Sequence, residues 1–169
     1  MRCLNVGCGT GKAHPFRDYG ADVNLDIELP APGVKIPNIV LGDVRNLPFR
    51  DGAFEKVLCF NVLEHVREWR RALRECMRVA RRAVLLRQDT FWNVDNWLTE
   101  DHEYIQHGLL LLPVPHIWRW LRKWVNVLLA KHPRVRWLKN KLVLWARTNG
   151  LYWKHFIVEV GGGDGSLAL

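Results

Sequence analysis

Residues 4–11 read Leu4-Asn5-Val6-Gly7-Cys8-Gly9-Thr10-Gly11, a short apolar run passing directly into three glycines at alternate positions. Glycine has no Cβ and reaches left-handed backbone conformations cheaply, so such a turn lets backbone N–H groups approach a ligand. Two nucleotide motifs bear on it. A phosphate-binding P-loop needs glycine, four residues, then Gly-Lys-Ser/Thr; Val6 and Ala13 occupy two of those fixed positions, which excludes it. A dinucleotide fingerprint needs a third small residue three places beyond Gly9, where Lys12 stands. What survives is strand, glycine turn, and Asp26 closing the next apolar run, Val23-Asn24-Leu25-Asp26-Ile27. Asp26 lies nineteen positions after Gly7, near the ~20 expected of a carboxylate that hydrogen-bonds ribose hydroxyls. That register favours a nucleoside-containing cofactor over a simple tight turn.

With 169 residues the chain is long enough for one domain with a real core. Its four cysteines show no paired metal spacing and read as reduced, mostly buried thiols. Cys8, inside the turn, is the one whose side chain could face a ligand. No secretory leader is read at the start, and the longest uncharged apolar run, residues 108–114, is too short to span a bilayer. The expected compartment is the cytoplasm, with peripheral membrane contact as an option.

The net charge of +8 is unevenly placed. Residues 104–158 contain ten Lys or Arg and no Asp or Glu; the rest holds 15 basic against 17 acidic residues. All of the excess therefore belongs to one segment, which should attract something anionic.

The first 90 residues alternate strand and helix signals, with strands expected near 1–6, 23–27, 38–42, 56–61 and 83–88. Apolar spacing predicts a helix over residues 66–82, its arginines forming a solvated face. The links at 12–22 and 28–37 are short; the first has room for two or three helical turns and the second is too rich in Pro to be helical. Beyond Asp89 lie eight of nine tryptophans between Trp92 and Trp153, a helix marked by Ile117, Leu121, Trp124 and Leu128, a break at His132-Pro133, and a second basic helix. A strand returns at 152–160, and 161–169 reads as a flexible tail. The division predicted is a core at 1–90, a helical basic Trp-rich insertion at 91–150, the returning strand at 151–160 and the tail at 161–169.

Four motifs in order resemble the class I S-adenosylmethionine-dependent methyltransferases, of the type 11-like group. Leu4 to Gly11 resembles their glycine-rich first motif, and Asp26 their ribose-binding acid. Gly42-Asp43-Val44-Arg45-Asn46-Leu47-Pro48-Phe49 resembles the segment whose Asp contacts the adenine amino group. Phe54 to Val57 through Asn61-Val62-Leu63-Glu64-His65-Val66 resembles the fourth strand and the loop facing methionine and acceptor. The resemblance implies an α/β, compact Rossmann-like methyltransferase fold: a mostly parallel sheet, shortened early crossovers and a helical insertion before the last strand. It implies S-adenosyl-L-methionine as cofactor, held by Gly7, Cys8, Gly9, Gly11, Asp26, Ile27, Asp43, Val44 and Asn61. Asn5 departs from the pattern, standing where many members carry an acid toward the methionine amino group.

Methyl transfer is an in-line displacement that depends on alignment, with a base helpful for a hydroxyl acceptor. The catalytic candidates are His65, Glu64 and Asp89, with His102 and His107 behind them; His65 leads because parallel sheets place ligands beyond their strands' carboxyl ends. His65 also suits a helix-capping role. Some related quinone-pathway enzymes use carboxylates and a histidine here for a divalent metal, but Asn61 replaces one carboxylate and no metal is assigned. Asp101-His102-Glu103 reads as a solvated loop. The expected acceptor is the hydroxyl of a saccharide, lipid-linked or other small molecule. For residues 104–158 three readings stay open: a lid with tryptophans turned inward, a surface for anionic membrane, or a nucleic-acid platform. The rival to catalysis is a non-catalytic protein of the same fold that binds membrane or nucleic acid through that segment.

Overall fold

The computed structural model describes residues 2–12, 14–90, 92–100, 102, 104–107 and 110–160, with backbone alone for 105–107, 110–112 and 154. The expected tail at 161–169 lies outside the described residues. The chain divides into two compact units. One takes the chain to Leu86 and resumes at Phe156, and the other is Arg87–His155.

The first unit is built on a sheet whose strands are β1 (Cys3–Val6), β2 (Val23–Asp26), β3 (Ile39–Leu41), β4 (Phe54–Phe60), β5 (Ala80–Asp89) and β8 (Trp153–Glu159). Their order is β3-β2-β1-β4-β5-β8, and β5 and β8 each run on into the second unit. β1 pairs parallel with β2 and with β4, and β2 pairs parallel with β3. The sheet is a mostly parallel, Rossmann-like one. Its centre is apolar on both faces: Leu4, Val6, Leu25, Val57, Cys59, Val84 and Leu86 are buried. Each fully buried side chain of this kind contributes about 1.5–3 kcal/mol.

After β1 the chain builds β2 and β3 to one side, then β4 and β5 to the other. The strand order thus switches between β1 and β4, and open parallel sheets bind ligands beyond their strands' carboxyl ends at such a switch. Between β4 and β5 runs α1 (Trp69–Val79), which buries Ala72, Leu73, Cys76 and Val79. It is shorter than the 66–82 expected. Ala80 is already extended, and the chain passes into β5 with no intervening loop. The arginine face is not all solvated. Arg78 pairs with Glu75 and Asp51 and donates to the carbonyls of Leu47 and Phe49, tying α1 to the loop before β4. Among the described residues neither early link is helical, so the turns allowed for residues 12–22 do not form.

The second unit holds α2 (Val94–Leu98), a hairpin of β6 (Tyr104–His107) and β7 (Leu110–Pro113), and the helices α3 (His116–Lys131) and α4 (Pro133–Thr148). Pro133 opens α4 at its first turn, where a missing N–H costs nothing. No helix among the described residues is long and apolar enough to cross a membrane.

Candidate cofactor site

The glycine turn leaves β1 at the switch point. Gly7, Gly9 and Gly11 all have positive φ, +62°, +79° and +79°. The space a side chain would need is filled by the protein itself. A Cβ on Gly7 would stand 2.4 Å from Val62 Cγ2, one on Gly9 would stand 2.3 Å from the Pro15 carbonyl oxygen, and one on Gly11 would stand 2.7 Å from Val34 Cγ2. The glycines therefore let the turn pack against the loop after β4 and fold over its own continuation.

Asp26, at the end of β2, accepts from the Gly9 N–H through Oδ2 at 3.0 Å and from the Glu28 N–H through Oδ1 at 3.2 Å. The Cys8 N–H donates to the Leu25 carbonyl at 3.2 Å, so turn and strand end are joined twice. A carboxylate has about four acceptor positions, so Asp26 retains capacity for two ribose hydroxyls. Beside it Ile27 is 64% exposed, and Leu41, the β3 partner of Asp26, is 54% exposed. A carboxylate with spare lone pairs next to uncovered apolar surface suits a nucleoside.

Cys8 does not offer its thiol. The side chain is buried, and burial, with Asp26 nearby, pushes the thiol up to about 11. Asn5 is also spoken for: its side-chain amide donates to Asn24 Oδ1 at 3.0 Å and to the Arg17 carbonyl at 3.2 Å, and Asn24 donates onward to the Pro37 carbonyl. Asn5 serves as a buried cross-strand clamp.

Asp43 follows β3. The Arg45 guanidinium bonds both its carboxylate oxygens, at 2.6–3.0 Å, and the Arg45 N–H adds a bond at 2.8 Å. The Arg45 hydrogen bonds hold the Asp43 carboxyl below its ordinary value against the opposing effect of burial. Val44, next in sequence, is buried.

Beyond β4, Asn61 takes a left-handed conformation, φ +56°, which Asn and Gly tolerate and most residues do not. It turns the chain into a single 3-10 turn, Leu63–His65, that folds back beside the glycine loop. Glu64 is fully buried there. The His65 ring lies 5.2 Å, centroid to centroid, from that of His14, which follows the glycine turn. Nearby in the chain, Tyr19 and Phe60 meet edge-on at 5.0 Å. His14 was not singled out from sequence. Nothing in the spacing of residues 14 and 65 announces that two strand ends bring them together.

The remaining candidates belong to the second unit. Asp89 is buried at the end of β5. His102 is not solvated but buried, its Nδ1 within 3.0 Å of Asn96 Oδ1 and 3.1 Å of the Asn96 carbonyl. Asp101 and Glu103, and the His107 side chain, lie outside the described residues.

Residues 4–86 match the family described as a methyltransferase domain. The chain is 33% identical to norajmaline N-methyltransferase of Rauvolfia serpentina over 46% of its length and 31% of that protein. It is 38% identical to demethylmenaquinone methyltransferase of Renibacterium salmoninarum over 48% of its length and 37% of that protein. It spans about a third of the length of the curated relatives it matches. Among solved structures, a candidate methyltransferase of Bacillus halodurans superposes with a TM-score of 0.46 at 19% identity, covering 75% of this chain and 60% of that one. Residues 4–86 therefore carry a methyltransferase domain of the class I S-adenosylmethionine-dependent kind. S-adenosylmethionine is the cofactor of that family.

Proposed function

We propose that the chain is a working methyltransferase that takes S-adenosylmethionine at the ends of β1 and β2 and methylates a hydroxyl of a saccharide, lipid-linked or other small-molecule acceptor. The observation that carries this reading is the pairing of the glycine turn with Asp26 at the switch point. When bound, the cofactor supplies an electrophilic methyl group on a sulfonium. Asp26 would accept from the ribose hydroxyls, Ile27 and Leu41 would cover the purine faces, and Asp43, oriented by Arg45, would accept from the adenine amino group. Gly7 and Cys8 contribute backbone only.

His65 is the proposed proton acceptor for the attacking hydroxyl. It stands on the loop after β4, with the second imidazole of His14 beside it to share or relay the proton. Glu64, buried on the same 3-10 turn as His65, is assigned a supporting role. The relatives differ in acceptor by their names, norajmaline at nitrogen in one and demethylmenaquinone in another, so the family leaves the acceptor open.

Isothermal titration with S-adenosylmethionine tests the reading. Micromolar-range binding that weakens sharply in Asp26→Ala supports it; no heat with the wild type, or an unchanged mutant, sinks it. The second reading, a non-catalytic protein of this fold, draws on Asn5, whose amide is committed to the sheet where an acid would face the methionine amino group. Cofactor binding without labelled methyl transfer to any acceptor from a cell extract would favour it.

A further inference from the structure

In α3 the apolar residues Ile117, Trp120, Leu121, Trp124, Val127 and Leu128 recur at steps of three and four, one stripe along the helix. All six are exposed, Trp120 and Trp124 at 58%. The opposite face is polar and points inward. Trp118 Nε1–H donates to the Trp97 carbonyl at 2.9 Å, Arg122 donates to the carbonyls of Thr99, Glu100 and His102, and Asn126 donates to that of Leu98 at 3.0 Å. In an ordinary surface helix the apolar stripe is covered and the charges face water; here the arrangement is inverted.

The second helix repeats it. Lys139 is half-buried in an ion pair with Asp95, and Ala146 is buried, while Val135, Leu138, Leu142 and Trp145 form an exposed stripe with Trp137 beside it. Neither helix carries an acidic residue, and Lys123, Lys131, Arg134, Arg136, Lys141 and Arg147 are exposed along them. Of the five tryptophans on these helices only Trp118 turns inward as the lid reading expects; Trp120, Trp124, Trp137 and Trp145 are exposed.

We propose that α3 and α4 seat this chain on an anionic lipid bilayer, with the two stripes in the acyl boundary and the lysines and arginines at the phosphates. Charge decides the occupant. Exposed Trp and Leu beside unopposed cations suit an interface that is apolar below and anionic above. A second copy would bring the same cations face to face with no acid to answer them. Nucleic acid would use the cations and tryptophans but leave the aliphatic Ile117, Leu121, Val127 and Leu128 uncovered. The inference does not depend on the methyltransferase reading.

The test is flotation of the full chain, without cofactor, on phosphatidylcholine vesicles with and without phosphatidylglycerol. Strong binding to the mixed vesicles, weak binding to pure phosphatidylcholine and weakening by salt are expected. The double variant Trp120→Ser with Trp124→Ser should partition at least ~10-fold less. Its circular dichroism and S-adenosylmethionine titration should be unchanged, since both side chains are exposed. The proposal is overturned if the wild type does not float with the mixed vesicles, if the double variant floats equally, if RNA but not vesicles is bound, or if light scattering shows a dimer that these substitutions dissociate without any vesicle binding.

Discussion

The Gly9 N–H donates to Asp26 Oδ2 at 3.0 Å, so the carboxylate expected to hold a ribose also pins the glycine turn to β2. Alanine and asparagine at position 26 should then differ. Asp26→Asn keeps an acceptor for Gly9 and removes the charge: S-adenosylmethionine affinity falls ~10-fold or more while stability drops by about 1 kcal/mol or less. Asp26→Ala also releases the turn and costs about 1.5–3 kcal/mol besides. Titration calorimetry and urea unfolding on both variants separate the two roles.

Gly9→Ala meets two obstacles, a positive φ and a carbonyl oxygen 2.3 Å from the new Cβ. Because that neighbour is backbone, relief requires the turn to move. The expected loss is about 2–4 kcal/mol, seen as a lower thermal midpoint together with lost cofactor binding.

His65→Gln should lower kcat ~10²–10⁴-fold with little change in the KM for cofactor, if the imidazole takes the acceptor proton. A variant rate equal to that of the wild type would take this role from His65.

Cys8 should be inert to thiol reagents near neutral pH in the folded protein. Its thiol is buried and pushed up to about 11, so reaction should rise only in strongly alkaline solution or on unfolding. Fast labelling of Cys8 at neutral pH, mapped by mass spectrometry, would contradict the packing described.

In the second unit, burial raises the Asp95 carboxyl, but hydrogen bonds from Lys139 and Tyr152 outweigh it and hold it below 3.8. Burial and the bond to Asp95 push the Tyr152 hydroxyl up to about 12. The lowered Asp95 contributes stability above its unfolded value, and that contribution is lost as pH falls through the folded one. The raised Tyr152 contributes below its unfolded value near 10, and that contribution disappears as pH climbs toward about 12. Asp95→Asn should flatten the acid edge of the unit's stability curve, followed by tryptophan fluorescence.

Much of the first unit was legible in residues 1–88. β1, β2 and β4 stand out as apolar runs closed by Gly7, Asp26 and Asn61, and the Pro-rich link at 28–37 is non-helical as read. α1 was overextended because helical spacing continues to Ala80 while the backbone turns extended there. α2 went unread, although Asn93 at its start accepts from the Asp95 N–H at 2.9 Å, a capping pattern that the sequence displays. The β6–β7 hairpin was missed because its strands pair with each other across an apolar, proline-bounded stretch with no alternation.

By itself the sequence determined where the backbone needs glycine, where an acid closes β2, and that α3 and α4 are amphipathic and basic. Those properties are local, written in the spacing of neighbouring residues. Tertiary structure alone decided that Val62 and Pro15 fill the space at Gly7 and Gly9, that His14 meets His65, and that Asn5 is consumed by Asn24. It also decided which side of α3 faces water. Periodicity defines two faces, but only the carbonyls of Trp97, Leu98, Thr99, Glu100 and His102, waiting for Arg122, Asn126 and the Trp118 N–H, drew the polar face inward and left Trp120 and Trp124 outside.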